Sequence, residues 1–388
     1  MVQYYETFGV MLVVITLAFI LKLCFFRTDV RKNSPLLMKV LFNLALPCVI
    51  FRNLYNNKTL DLDSLYLFIG GIIFQLCGGL ISLLVFWFVK DKTIKKLSIF
   101  NSFALNTALF IFPVMKSVAD DGISKTILFC VANDFCCYAV LRPLYAILGI
   151  SQNQGNDAFE TEEKKKNLIT TQEEPMTEIK IEPPQLPELI NETQPYQIIE
   201  PNDNQVKINS KNETEHHSFW KRIFNQQTQK ILKETLRAIF TCVPLYALVL
   251  GYLCGLSHIK VPSFIIACID VGASANTLLS YTVLGIFFEW HIPLKYLWPS
   301  IRVVLYRTVY GLIYGLTIYF SCKPFIGDVA RFVMLVSPLT PPPLIDTIYS
   351  VEYKVSPVDI PILINNLSII VSYVVILLLM VILNPSFN

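Results

Sequence analysis

Apolar residues in this chain gather into blocks of about 20, the length of an α-helix that crosses a hydrocarbon layer. Windows of about 19 residues give five such blocks, near Phe8 to Phe26, Leu36 to Tyr55, Leu65 to Val89, Leu97 to Val118 and Ile127 to Ile150. Five more follow, near Leu232 to Leu256, Val261 to Trp290, Leu297 to Ser321, Ala330 to Tyr349 and Val358 to Leu383. With 54% of its 388 residues hydrophobic and 16% charged, the chain reads as a polytopic membrane protein. It is all-α, because a spanning backbone must satisfy its own hydrogen bonds. The first block follows an uncharged-to-acidic start and outruns a signal-peptide core, so it is expected to be a retained span.

Between the two sets of blocks, Ser151 to Lys230 is rich in Glu, Gln, Asn, Lys and Pro, with too little apolar surface to offset the entropy of folding. The expected organisation is a five-helix repeat over 1–150, a disordered linker over 151–230 and a second five-helix repeat over 231–388. Because five is odd, two homologous halves must lie inverted to one another in the membrane. Arg27, Arg31, Lys32 and Lys39 follow the first span and Lys90, Lys92, Lys95 and Lys96 the third, while Asp61, Asp63, Asp120 and Asp121 sit in the alternate loops. By the positive-inside rule the linker is cytoplasmic and both termini face out. Lys260, Lys323 and Arg331 run against the pattern in the second half. The linker holds 9 Lys or Arg against 14 Asp or Glu, so its acidity offers nothing to a nucleic acid.

Two spans are interrupted. Ser98 to Gly122 carries Pro113 near its middle, where the lost donor and the ring's clash with the preceding turn should break or kink the helix. Asn106 lies seven residues earlier, about two turns, on nearly the same helix face. Ala330 to Tyr349 carries Pro338 and the run Pro341, Pro342, Pro343. Matching breaks in two halves of a membrane chain point to a transporter's substrate site. No cationic side chain is expected near either break, so half-helix N-termini and neutral amides would hold a small organic anion.

The spacing Asn106 to Pro113 resembles the N-x6-P signature of the auxin efflux carrier family, which includes the plant PIN carriers and PIN-likes. Phe42 to Pro47 is similar to that family's second span, and Val271-Gly272-Ala273 through Leu284-Gly285 to its seventh. Pro341 to Val355 is similar to its ninth, down to Glu352, Tyr353 and Val355. The resemblance implies the bile/arsenite/riboflavin transporter type of fold: ten transmembrane helices as two inverted five-helix repeats, with helices four and nine broken and crossing. It also implies a scaffold of spans one, two, six and seven, with the other spans sliding as an elevator. Phe110 and Phe112 stand where the family has glycine, which would narrow a cavity there. An endoplasmic-reticulum or plasma-membrane location and a homodimer are further expectations.

The candidate substrate-binding residues are therefore Asn106, Pro113, Asn276, Ser280 and Pro341, with Asn276 and Ser280 four apart on one face of span seven. Each has a plainer reading, as helix glue, small-residue packing or a kink. Asp134 is a candidate to carry a coupling proton, although pairing with Arg142 is slightly preferred. Asp270 and Asp346 are expected near the polar edge, and Arg302 and Arg307 either snorkel or meet interior acids, with snorkelling favoured for Arg302. No metal site or cofactor is expected, since the ten cysteines lack ligand spacing and His216-His217 lacks further ligands. No Gly-rich phosphate loop, HExxH or nucleophile elbow supports an enzyme. The two functions carried forward are a secondary transporter that exports a small organic anion, and a receptor or regulatory scaffold on the same fold.

Overall fold

The computed structural model describes residues 2–25, 36–56, 61–152, 226–289 and 293–383. Most of the expected linker, Arg27, Arg31, Lys32, the Asn57-Lys58-Thr59 sequon and His216-His217 lie outside them. The helices are α1 (Val2–Phe25), α2 (Leu36–Asn56), α3 (Leu62–Val85), α4 (Lys92–Phe103), α5 (Thr107–Val118), α6 (Gly122–Gln152) and α7 (Gln226–Phe240). They continue as α8 (Val243–Leu256), α9 (Ser263–Phe287), α10 (Leu294–Ser321), α11 (Asp328–Val336), α12 (Ile345–Glu352) and α13 (Asp359–Leu383). No strand occurs among the described residues.

Seven of these helices are individually long and apolar enough to span, and an eighth span forms if α4 and α5, bent by 46°, are counted together. The other two expected spans are in pieces. Instead of one helix from Leu232 to Leu256, α7 ends at Phe240 and α8 starts afresh at Val243. Pro244 occupies the first turn of α8, where a missing N–H costs nothing. Asp91 starts α4 by accepting the N–H groups of Thr93 and Ile94. Asp61 starts α3 by accepting from Ser64 at 2.9 Å. Burial pushes the Asp61 carboxyl up, but the Ser64 hydrogen bonds and the Lys125 charge prevail and hold it below its ordinary range.

Three π-helical turns, Leu41–Ala45, Thr107–Ile111 and Cys136–Leu141, each end two residues before a proline: Pro47, Pro113 and Pro143. A proline ring clashes with the carbonyl four residues back, and a locally widened turn makes room for it without ending the helix.

Packing sorts the helices into two groups. α8 and α9 lie on α2, and α9 also lies on α1; α3 packs on α4 and α6, and α10 on α11 and α13. The hydroxyls of Tyr306, Tyr310 and Tyr314, one turn apart on α10, donate to the carbonyls of Gly78, Phe74 and Gly70 on α3 at 2.7, 2.8 and 2.7 Å. Gly71 lets α3 approach α6, since a β-carbon there would lie 2.2 Å from the Phe129 oxygen. One apolar core runs from Phe8 and Met11 through Leu46 and Phe110 to Phe332, and a second gathers Phe100, Phe103, Leu141, Tyr145, Val303, Tyr349 and Ile364. At one end of the bundle Gln152 bonds Thr93 and Ser356; at the other, Asp63 meets Lys125 and Gly327.

Candidate functional site

The interruption of the fourth span lies at Ala104–Asn106, between α4 and α5, and not at Pro113 as its sequence suggests. Pro113 sits beyond the break, in the segment Phe112–Val118, and accounts for the π turn before it. Asn106 consequently stands at the N-cap of α5, the helix that carries Pro113, and its side chain makes no capping bond.

Three backbone groups at this break, Leu105 N–H, Leu105 C=O and Asn106 N–H, find partners. Leu105 N–H, turned away from the Asn101 carbonyl it would meet in a helix, donates to Asn133 Oδ1 at 2.7 Å. Asn133 Nδ2 donates back to Leu105 O at 2.9 Å, and Gln75 Nε2 donates to Asn133 Oδ1 at 3.1 Å. Asn106 N–H donates to Pro341 O at 2.8 Å, so the two interrupted spans touch at their breaks. The second break follows the short 3₁₀ turn Ser337–Leu339 and lasts from Thr340 to the start of α12, as its prolines imply.

Arg307 of α10 overturns the expectation that no cation lies near the breaks. Only 5% exposed, it donates Nη1 to Asn101 O at 2.8 Å and Nη2 to Thr340 O at 2.9 Å. Both carbonyls stand at the C-terminal ends of broken spans, where a positive charge complements the helix dipole. Asp346 also departs from expectation: it is 1% exposed, far from any polar edge, in the first turn of α12. Asp134 does not pair with Arg142, whose partners are Glu352 and Tyr353. Asp270 does lie at the surface, bonded to Arg52 at 2.6 Å. Arg302 lies over the Trp298 ring, 5.3 Å from its centroid.

Several polar atoms here are buried without a hydrogen-bond partner among the described residues: Asn106 Nδ2, Asn276 Oδ1, Ser280 Oγ and both carboxylate oxygens of Asp346. Asn276 and Ser280 belong to α9, which packs on the Thr107–Ile111 turn next to Asn106. A cavity of about 710 Å³ opens beside the crossing, between α3, α4 and α6 on one side and α2, α7 and α8 on the other. Its wall includes Gln75, Phe103, Asp134, Tyr138 and Cys242. Asn106, Asn276, Ser280 and Pro341 are not on that wall; Gln75 joins it to the crossing through Asn133. Asn133 was legible only as a polar neighbour of Asp134 inside an apolar span.

Seven helices long and apolar enough to cross a membrane, with two interrupted spans that meet inside the bundle, mark an integral multi-pass membrane protein. The family model for membrane transport proteins matches residues 9–289, well over half of the chain, and the chain belongs to this family, that of the auxin efflux carriers and PIN-like carriers. The match ends before α10, so Arg307 and the second break lie beyond it. A comparison with curated proteins gives no match.

Proposed function

We propose that the protein is a secondary active transporter that exports a small organic anion, such as an auxin-like carboxylate, by alternating access, with the crossing as its substrate site. The observation that carries this reading is the N-terminus of α5. Its N-cap residue, Asn106, leaves an amide donor buried and without a partner among the described residues, and Arg307 already occupies carbonyls of the segments that precede the two breaks. An N-terminus with free N–H groups and a spare amide favours an anion. Asn276 and Ser280 on α9 would contribute from the other packing group, and Pro341 fixes the crossing through its carbonyl. Movement of the α3–α6 and α10–α13 group against the other is the elevator expected from the family. An inverted ten-span arrangement, a homodimer and an endoplasmic-reticulum or plasma-membrane location belong to the same proposal.

The test is binding and flux of radiolabelled carboxylates, indole-3-acetate among them, in proteoliposomes. Asn106→Ala removes one hydrogen bond to a charged group, about 1.5–3 kcal/mol, so affinity should fall roughly tenfold to a hundredfold while the melting temperature holds. Normal transport by this variant, or parallel loss of folding and activity, would make Asn106 structural. Binding without flux in the native protein would favour the receptor reading.

A further inference from the structure

A groove of about 810 Å³ runs along the outside of the bundle, where α3 and α10 lie antiparallel. Cys77, Ile81 and Val85 line it from α3, one turn apart, and Leu305, Val309 and Ile313 line it from α10. Tyr306, Tyr310 and Tyr314 lie deeper, and their hydroxyl donors are spent on α3 carbonyls. A molecule in the groove therefore meets apolar surface along most of its length. The two ends differ in charge. At one, Arg302 lines the groove, with Trp298 and Lys295 about one and two turns before it on the same face of α10. Phe88 and Val89 line that end from the α3–α4 connection, which runs on into Lys90, Lys92, Lys95 and Lys96. Lys95 is engaged, donating to Trp87 O at 3.0 Å. The side chains of Lys90, Lys92, Lys96, Lys295 and Arg302 are exposed and form no ion pair or hydrogen bond among the described residues. At the opposite end Lys125 is paired with Asp63 and Asp121 and Arg331 with Asp328, and Lys323 stands alone.

We propose that this groove holds an anionic glycerophospholipid of the cytoplasmic leaflet, with an acyl chain along Val85, Leu305 and Val309 and its phosphate on Arg302. α10 has 28 residues, about 42 Å against a hydrocarbon core of about 30 Å, so roughly its first and last turns stand among the headgroups. Arg302, about two turns from the start, reaches that depth with its own length. Exposed Trp87 and Trp298 flank it, as aromatic rings do at a membrane boundary. By the positive-inside rule the end with the free lysines is cytoplasmic, and that leaflet carries the anionic lipids. A guanidinium with unspent donors takes a phosphate through two parallel N–H bonds. Phosphate is common to zwitterionic and anionic lipids, so the preference for a net negative headgroup comes from the surrounding lysines. The groove shares no residue with the crossing, and the inference stands whatever the transported substrate is.

The experiment counts bound lipids by mass spectrometry of the intact, detergent-purified protein, titrated with dioleoylphosphatidylserine or dioleoylphosphatidylcholine. The unmodified protein should take up phosphatidylserine at lower concentration than phosphatidylcholine. Arg302→Gln should weaken phosphatidylserine binding about fivefold, the usual effect of one basic residue at an anionic surface. Arg302→Lys keeps the charge and should keep most of the binding. Lys323→Gln, at the opposite end of α10, should change nothing. Val309→Trp fills the groove and should weaken both lipids while Arg302 is intact. All of these positions are exposed, so melting temperatures should stay together and the binding changes cannot be ascribed to unfolding. Equal binding of the two lipids by the unmodified protein, or equal losses in Arg302→Gln and Lys323→Gln, overturns the proposal. So does lipid binding that survives Val309→Trp unchanged. If that variant instead converts dimers to monomers at constant lipid count, the face is an interface between two copies of this chain and the lipid assignment is wrong.

Discussion

The two breaks that meet at the crossing are made in different ways. The second is written into the local sequence: Pro341, Pro342 and Pro343 bring no N–H groups that would need partners. It offers carbonyls instead, and Thr340 O, Pro341 O and Pro343 O accept from Arg307, Asn106 and Asp346. The first break, Ala104–Asn106, contains no proline and keeps its donors. Nothing in its own three residues forbids a helix; it stays open because Asn133 takes both polar groups of Leu105 and Pro341 takes the N–H of Asn106. One break is intrinsic and the other is conditional on its neighbours, so damage to a neighbour should close or unfold the first while sparing the second.

Arg307 serves both, and its loss should have the largest effect. Arg307→Met abandons Asn101 O and Thr340 O inside the bundle, at about 1–3 kcal/mol for each buried group left unpaired. A thermal melt in detergent should show a large fall. Adding Asp346→Leu should recover part of it, since it removes a buried carboxyl whose oxygens have no hydrogen-bond partner among the described residues. A double variant no more stable than the single one would mean that the cost lies in the carbonyls alone.

The contrast itself is tested next, one variant per break. Asn133→Leu strands the Leu105 N–H and C=O inside the bundle, at about 1–3 kcal/mol for each buried group left unpaired. Pro342→Ala leaves Pro341 and Pro343 in place and should change stability by less than about 1 kcal/mol. Equal effects of the two in the same melt would erase the distinction between conditional and intrinsic breaks.

This distinction also explains what the sequence made legible. The helical spans follow from hydropathy because lipid imposes length and composition on each helix separately. The second break was readable because prolines act on their own backbone. The first was misplaced to Pro113 because its cause is Asn133, 28 residues away, and a through-space bond leaves no local trace. Arg307 escaped for the same reason, since its carbonyls lie 206 and 33 residues away. Asp346 was expected at an edge because it lies five residues after Pro341, yet α12 begins deep in the bundle.

Pro113→Ala should have the smallest effect and is the sharpest probe of where the first break originates. Pro113 resembles Pro47 and Pro143 in following a π turn by two residues, and neither of those prolines accompanies a break. Alanine restores an N–H that can bond back to the preceding turn, so Thr107–Ile111 should tighten toward an ordinary α-helix. The bonds that hold the break open involve Leu105, Asn106, Asn133 and Pro341, none of which the substitution touches. Hydrogen exchange resolved to single amides should therefore show greater protection within Thr107–Ile111 and no change at Leu105 and Asn106. Stability should move by less than about 1 kcal/mol. If instead Leu105 and Asn106 gain or lose protection as strongly in Pro113→Ala as in Asn133→Leu, the proline drives the break and the two halves of the crossing are made alike.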